Sequence, residues 1–359
     1  GIVLAGSGLP DQAIDEFNAA IRLDSDKAQY HASRGDAYLA QEKYRQAIVD
    51  YDEAIRLDSD NPGLYLKRAN AYESVGELRQ AVRDYDQAVR LEPGDSEPLN
   101  SRGSAYARLG EYDEAVDSYL EAIKLDPDDA RLYNNLGIAH AKMDMPRQAL
   151  RDFGHAIALD PEYAEAHCNL GNAFTKQGRL EEAVASFHRA LVLQPEFAEA
   201  HNNIGAVHLG QGRLDEAAVS FQKALVLQPD FVDAHNNLGN ALQDSGKLAE
   251  AVDSYHKALS LQPDYAEAHN NLGNVLQDLE KPEEAVDSYH KALSLKPDYV
   301  EAHSNLALAL QDQGDVDGAA RQIDLALSHQ PENAGLGIRK ALLLPVIPSS
   351  EDDIRTRRE

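Results

Sequence analysis

The sequence predicts an all-α solenoid built from helix pairs, and three observations predict it. Small residues recur every 34 positions along almost the whole chain of 359 residues. An alanine, an aromatic residue and a second alanine follow most of them at constant spacing. Prolines close most of the repeats with the same period. A fixed period of this length is typical of repeat proteins, in which each repeat packs on its neighbours.

The recurring positions define the repeats. The small residues are Gly35, Ala69, Gly103, Gly137, Gly171, Gly205, Gly239, Gly273 and Ala307. The first alanines are Ala47, Ala81, Ala115, Ala149, Ala183, Ala217, Ala251, Ala285 and Ala319. The residues at the aromatic position are Tyr51, Tyr85, Tyr119, Phe153, Phe187, Phe221, Tyr255 and Tyr289, with Ile323 in the ninth repeat.

Each repeat is predicted to contain two helices, helix A and helix B. In the sixth repeat the apolar spacing predicts helix A over Ala198–Gly210 and helix B over Leu214–Leu227. Gly212 marks the turn between them and Pro229 ends the repeat. Prolines also fall in the first turn of helix B, where a missing N–H costs nothing: Pro10, Pro146 and Pro282.

This pattern of small, aromatic and proline positions resembles the tetratricopeptide repeat (TPR), and the resemblance covers residues 1–333. It implies antiparallel helix pairs stacked into a right-handed superhelix with a concave groove lined mainly by helix A. One departure is the residue early in helix A, where histidine replaces the usual large aromatic. The histidines are His31, His167, His201, His235, His269 and His303.

The repeat frame predicts the domain organisation. Residues 1–27 match the second part of a repeat, residues 28–333 hold nine full repeats, and residues 334–359 form a capping helix and a linker. The capping helix is predicted over Leu336–Leu344, with Pro345 stopping it. Because the chain begins inside a repeat, we expect it to be a fragment of a longer protein.

The charge of the chain argues against nucleic acid as a partner. Acidic residues number 61 and basic residues 34, so the net charge is −27. Nucleic-acid binding needs a positive surface that releases counterions, and this composition offers none. Acidity instead favours polar or basic protein partners, although it also fits a surface that simply keeps the protein soluble.

Signatures of catalysis, cofactor binding and metal binding are missing from the sequence. There is no P-loop, dinucleotide-binding glycine motif, zinc-protease motif or nucleophile elbow, so the chain is predicted to be non-catalytic and to bind no cofactor. Cys168 is the single cysteine, which excludes an internal disulfide. The histidines every 34 residues are interpreted as packing residues, because repeats about 10 Å apart cannot bring them to one zinc ion. No targeting or membrane segment is evident, and a cytoplasmic location is expected.

The first three full repeats differ from the others in one position. Arg34, Arg68 and Arg102 precede the small residue of helix A, where later repeats carry Leu or Ile. Asp50 and Asp84 lie 16 positions after the first two arginines, whereas Arg102 is followed at that distance by Ser118. The spacing predicts Arg–Asp pairs between helices A and B.

The fourth to ninth repeats share a ladder of asparagines. The ladder residues are Asn135, Asn169, Asn203, Asn237, Asn271 and Asn305, and further asparagines on the same helix face are Asn172, Asn240 and Asn274. An amide side chain matches the C=O and N–H of a peptide backbone. At a repeat spacing of about 10 Å, one asparagine per repeat could hold roughly every third residue of an extended peptide. These nine asparagines are therefore the predicted peptide-binding residues.

A second interpretation of the ladder stays open. The segment VDSYHKALSL occurs at 252–261 and again at 286–295, so recent duplication could have copied the asparagines without selection for binding. The asparagines could also form hydrogen bonds to the neighbouring helix.

An asparagine ladder in such repeats is similar to that of O-linked N-acetylglucosamine transferases, where the resemblance implies that these residues hold the acceptor peptide's backbone. Residues 341–351, ALLLPVIPSSE, also resemble the junction that leads into the transferase part of bacterial Spindly-like proteins. The leading hypothesis is therefore the acceptor-recognition arm of a glycosyltransferase-like protein. Alternatives are a scaffold for a folded partner, a clamp for chaperone tails, for which only Lys67 and Asn70 fit, and self-association.

Overall fold

The structure is a computed structural model that describes residues 10–343. Twenty α-helices and no strands are found in that range, which confirms the predicted all-helical repeat fold. Contacts divide the chain into two units, Gly1–Leu193 and Gln194–Glu359, and the division falls between two repeats. The assignment of residues 1–27, 28–333 and 334–359 to three parts stays a prediction, and the linker after residue 343, with Pro345, lies outside the described residues.

Eleven helices belong to the N-terminal unit. They are α1 Pro10–Leu23, α2 Ala28–Leu39, α3 Tyr44–Leu57, α4 Pro62–Ser74, α5 Leu78–Leu91, α6 Glu97–Leu109, α7 Tyr112–Leu125, α8 Ala130–Lys142, α9 Pro146–Leu159, α10 Ala164–Lys176 and α11 Leu180–Leu193. The even-numbered helices here are helices A of their repeats. The predicted proline starts are found at Pro10 and Pro146.

Nine helices belong to the C-terminal unit. They are α12 Ala198–Gly210, α13 Leu214–Leu227, α14 Val232–Asp244, α15 Leu248–Leu261, α16 Ala266–Asp278, α17 Pro282–Leu295, α18 Val300–Asp312, α19 Val316–His329 and α20 Ala334–Leu343. The bounds of α12 and α13 are those predicted for the sixth repeat. Pro282 starts α17 as predicted, and the predicted capping helix α20 begins two residues earlier than expected.

The turn from helix A to helix B uses one residue in the left-handed conformation. Six of the nine turns in the described range have glycine there, as at Gly212 with φ of 72°. Glu42, Asp144 and Glu280 occupy the equivalent place with φ between 56° and 59°. Glycine adopts this conformation without the Cβ clash that other residues meet, so the three carboxylic residues carry a local strain.

The core of seven of the nine repeats is an aromatic ring packed against a glycine. At Gly205, an added Cβ would lie 2.6 Å from the Cε1 atom of Phe221, and the same relation holds at seven glycines. Phe221 and the flanking Ala217 and Ala224 are completely buried. Because glycine leaves room for the ring, helices A and B approach closely around an aromatic centre, as the small-residue positions predict.

Arg34 and Arg68 form the predicted pairs with aspartates on helix B. These two arginines and Arg102 also make a hydrogen bond to the preceding helix B. Arg68 donates from Nε and Nη2 to Asp84, both at 2.7 Å, and from Nη1 to Asp52 on the preceding helix B at 2.6 Å. Arg34 repeats this arrangement with Asp50 and Asn18 as its partners. Arg102 does so with Ser118 and Asp86. Each guanidinium thus joins helix A to the helix B on either side of it in sequence.

The predicted packing histidines have a polar role as well. Nε2 of His235 donates to the carbonyl oxygen of Pro229 at 2.9 Å, so the ring closes the loop between two repeats. The same bond, to the carbonyl six residues earlier, is made by His31, His167, His269 and His303. Burial lowers the pKa of His269, which favours the neutral ring that this geometry uses.

Candidate peptide-binding face

The ladder asparagines lie half-buried on helix A, and five of the six donate a hydrogen bond to an asparagine of the preceding repeat. In the C-terminal unit, Nδ2 of Asn237 donates to Oδ1 of Asn202 at 3.1 Å, and Nδ2 of Asn271 donates to Oδ1 of Asn236 at 3.1 Å. Asn305 makes the equivalent bond to Oδ1 of Asn270 at 3.0 Å. The neighbouring-helix bond that the second interpretation anticipated is therefore present.

The same arrangement occurs in the N-terminal unit. Asn135 donates to Asn100 at 2.9 Å, and Asn169 donates to Asn134 at 2.9 Å. In all five bonds, donor and acceptor are 35 positions apart, so each bond joins consecutive repeats.

A second layer of asparagines, buried beneath the ladder, was missed by the sequence analysis. Asn202, Asn236 and Asn270 expose between 4% and 7% of their surface and come directly before ladder residues. The signal was available as the doublets at 202–203, 236–237 and 270–271. The second member of each doublet is the ladder residue. The first member accepts a hydrogen bond from the ladder residue of the next repeat.

The amides of the C-terminal unit continue into a network of hydrogen bonds. Nδ2 of Asn271 has a second acceptor, Oδ1 of Asn240, at 3.2 Å. Asn240 also accepts a hydrogen bond from the hydroxyl of Tyr255 at 2.7 Å. Such linked bonds polarise one another and fix the rotamers of the side chains. The ladder amide of Asn271 is thus oriented from the core outward.

The additional predicted asparagines have structural partners. Asn274 accepts from the hydroxyl of Tyr289 at 2.8 Å, as Asn240 does from Tyr255. At Asn172 the equivalent aromatic is Phe187, which has no hydroxyl to donate. Burial, and then the charge of Asp278, raises the pKa of Tyr289 above its usual value, so its hydroxyl keeps the proton that it donates.

Two open hollows adjoin the ladder in the C-terminal unit and share Asn274. The amide hollow has a volume of about 580 Å³ and is bordered by Asn271, Asn305, Asn333 and Arg339, among others. The acidic hollow has about 600 Å³ and is lined by Asn274, Gln277, Asp278, Glu280, Pro282 and Asp312. Of the predicted residues, the structure brings Asn271, Asn274 and Asn305 together in the amide hollow.

Carboxylates stand at the C-terminal ends of three helices A, and two of them, those of Asp278 and Asp312, line the acidic hollow. Asp244, Asp278 and Asp312 are the last residues of α14, α16 and α18. A negative charge at the C-terminal end of a helix is repelled by the carbonyl groups there. Asp278 is partly compensated by Gln243, whose Nε2 donates to it at 2.8 Å.

The described residues contain no cluster of three or more His, Cys, Asp or Glu side chains that could hold a metal ion. No helix in residues 10–343 is long and apolar enough to cross a membrane.

Paired helices in a repeat of 34 residues, closed by a ring on glycine, define a TPR-type scaffold. The family model described as the C-terminal domain of cilia and flagella-associated protein 70 matches residues 11–225 and again 101–307, and a tetratricopeptide-repeat model matches residues 300–324. The chain belongs to this TPR family. TPR proteins bind proteins or peptides and in general are non-catalytic scaffolds, and this chain is a scaffold for protein–protein interaction.

One solved structure agrees in fold over most of the chain, and others are similar over part of it. A chain of the APC/C hetero-tetramer Cut9-Hcn1 is 14% identical, with a TM-score of 0.62 over 92% of this chain and 80% of that chain. YrrB, titled a TPR protein with an unusual peptide-binding site, is 26% identical over 55% of this chain and 97% of its own, with a TM-score of 0.42. MamA is 28% identical over 45% of this chain and 94% of its own, with a TM-score of 0.41. None of the curated proteins compared with the chain matches it.

Proposed function

We propose that the ladder face of the C-terminal unit binds an extended peptide segment through the segment's backbone. The observation that carries the proposal is that Asn271 and Asn305 are half-buried, line one open hollow and are held by asparagines beneath them. Preorganised amides lose little entropy when they bind a ligand, which makes each hydrogen bond more productive. Identical amides on successive repeats suit a backbone, whose polar groups do not depend on sequence.

The charge around the ladder supports a polar or basic segment. Asp278, Glu280 and Asp312 line the acidic hollow, and the chain as a whole carries a net charge of −27. A basic segment would be attracted to this surface, and an acidic one would be repelled from the acidic hollow.

The finer proposal is that the segment is an acceptor held for an O-linked glycosyltransferase. It rests on the similarity of the ladder to that of O-linked N-acetylglucosamine transferases. A preference for Ser/Thr-rich peptides in a peptide array would support this role. Binding of a folded partner in place of any peptide would support the alternative, a general scaffold with no transferase attached.

Two matched variants test the backbone proposal. The outer variant replaces Asn237, Asn271 and Asn305 with Ala, and the inner variant replaces Asn202, Asn236 and Asn270 with Ala. Both remove the same three inter-repeat hydrogen bonds, so both lose comparable stability. The outer variant removes the ladder amides that would hold the peptide, whereas the inner variant removes the groups that position them, among them Asn270, which also lines the hollow.

The measurement is fluorescence anisotropy with labelled, unstructured Ser/Thr-rich peptides, beside circular dichroism to confirm helicity. We expect the outer variant to bind at least about tenfold more weakly than the wild type, since each amide contributes roughly 1 kcal/mol. The inner variant should lose less affinity than the outer variant, because it keeps the ladder amides but not the bonds that preorganise them. Equal affinity of the outer variant and the wild type would refute the proposal.

A further inference from the structure

Arg339 is an exception among the half-buried arginines of residues 10–343. Four arginines in residues 10–343 are half-buried: Arg34, Arg68, Arg102 and Arg339. The first three have carboxylate partners, with Asp50, Asp84 and Asp86 among them. No hydrogen bond or ion pair to the Arg339 guanidinium is found within the described residues. Desolvating a guanidinium without a partner is costly, so a side chain placed in this way is suited to an external anion.

The surroundings of Arg339 are rich in amide groups. Its side chain borders the amide hollow together with Asn305, Asn333 and Gln330. Asn333 is fixed in place, because its Oδ1 accepts from the backbone N–H of Leu336 and its Nδ2 donates to Gln330, both at 3.2 Å. The hollow therefore presents a planar cation beside ordered neutral groups on a rigid wall.

One carboxylate lies among the described residues that line this hollow, that of Glu301, and it is exposed. The neighbouring acidic hollow holds the carboxylates of Asp278, Glu280 and Asp312. A bound anion would thus be repelled from the acidic hollow and drawn to Arg339. The two hollows, which share Asn274, should therefore prefer ligands of opposite charge.

We propose that the amide hollow binds a carboxylate of the peptide on the ladder face, with Arg339 as its counter-ion. A guanidinium donates two parallel N–H bonds to a carboxylate, which makes it the preferred partner for that group. The inference rests on the proposed function, because the same ladder residues, Asn271 and Asn305, would hold the backbone leading to the carboxylate. The carboxylate would fix where along the ladder a peptide begins or ends.

Three peptides labelled with an uncharged fluorophore test the proposal with the full chain. All have the repeating sequence Ser-Thr-Ala; one has a free C-terminal carboxylate, one has a C-terminal amide, and one has the amide and a single internal Asp. The first and third distinguish a terminal carboxylate from a side-chain carboxylate. Affinities are measured by anisotropy for the wild type, Arg339→Gln, Arg339→Lys and Arg321→Gln. The last is the control, because Arg321 is exposed on α19 and does not line the hollow.

We expect at least one carboxylate peptide to bind the wild type about tenfold more tightly than the amidated peptide. Arg339→Gln should abolish that preference, Arg339→Lys should keep part of it, and Arg321→Gln should keep all of it. Glu301→Gln should strengthen the preference for the carboxylate peptide, because the substitution removes the competing negative charge from the hollow.

The outcomes separate this inference from the proposed function. If the outer asparagine variant loses all three peptides while Arg339→Gln leaves the carboxylate preference unchanged, the inference is wrong and the backbone-binding function stands. If the wild type shows no preference for a carboxylate, the inference is also wrong. If none of the three peptides binds the wild type, both proposals are overturned.

Discussion

The ring of Tyr255 occupies the space that a side chain at Gly239 would need. An added Cβ at Gly239 would lie 2.5 Å from Cε1 of Tyr255, a distance that real contacts do not reach. We expect Gly239→Ala to destabilise the chain by roughly 1–2 kcal/mol, since overpacking outweighs the helix propensity gained by alanine. Gly154 is the control, because nothing lies within 4 Å of its added Cβ. Gly154→Ala should stabilise by about 0.5–1 kcal/mol in urea unfolding. If both variants shift stability in the same direction, the packing argument fails.

Arg68 has two carboxylate partners of unequal burial. The Asp84 side chain is 7% exposed and that of Asp52 is 51% exposed. Asp84→Ala should cost about 3 kcal/mol in urea unfolding, because it leaves a partly buried guanidinium without its bidentate partner. Asp52→Ala should cost less than about 1 kcal/mol, as expected for an exposed pair. Equal losses from the two variants would show that burial does not govern these pairs.

The phenol of Tyr255 is predicted to stabilise the repeat through its hydrogen bond. Tyr255→Phe removes the donation to Asn240 at 2.7 Å and to Gln243 at 3.2 Å, and should cost about 1 kcal/mol. The reverse change, Phe221→Tyr, serves as the control because Ala206 stands where Asn240 lies in the later repeat. It should give no gain in thermal stability. A gain there would mean that the hydroxyl finds support elsewhere.

Glu73 is predicted to make stability depend on pH. Burial raises the pKa of its carboxyl above the ordinary value, and the groups that face it are the Arg108 guanidinium, 3.9 Å away, and the Tyr85 phenol. A raised pKa means that the folded chain binds the proton more tightly than the unfolded chain. The stability contributed by this group is therefore present below the unfolded pKa of about 4.3 and is lost as pH rises through the folded pKa.

Glu73→Gln removes that titration. We expect the variant to gain stability relative to the wild type as the pH is raised from 4 to 7, measured as the difference in urea midpoint at each pH. A difference that stays constant across this range would show that Glu73 titrates normally in the folded chain.

Much of the fold could be predicted because the constraint is periodic. The bounds of α12 and α13 follow from apolar spacing and from Gly212, and the Arg68–Asp84 pair follows from a spacing of 16. The second partner of each arginine was missed, because it belongs to the preceding repeat and sequence spacing does not reveal how repeats stack. In the fourth repeat Leu136 takes the place of the arginine, and Asp152, 16 positions later, instead accepts a hydrogen bond from Nδ1 of His140 at 2.6 Å.

The candidate site was predictable only in part. The ladder asparagines stand out because they recur, and their role in binding stays a prediction. Their partners, such as Asn236 and Asn270, were overlooked because the recurrence of an asparagine in successive repeats does not show whether its side chain is buried. Arg339 follows the last repeat and has no equivalent in the other repeats, so sequence periodicity does not identify it. Its position at the amide hollow is seen only in the structure.

The hydrogen bonds that cross repeat boundaries have a consequence for how such an array can lengthen by recombination. In the second repeat the buried pair of Arg68 with Asp84 lies within one 34-residue repeat, and the bond that crosses to the preceding repeat uses the exposed Asp52, whose loss should cost little. A repeat with a ladder asparagine depends more on its neighbour, because the ladder amide donates a hydrogen bond to a residue of the preceding repeat. Asn100, in the last arginine-bearing repeat, already supplies that acceptor to Asn135. An asparagine-bearing repeat that followed a repeat without an asparagine at the place of Asn100 would leave its half-buried ladder amide without this acceptor.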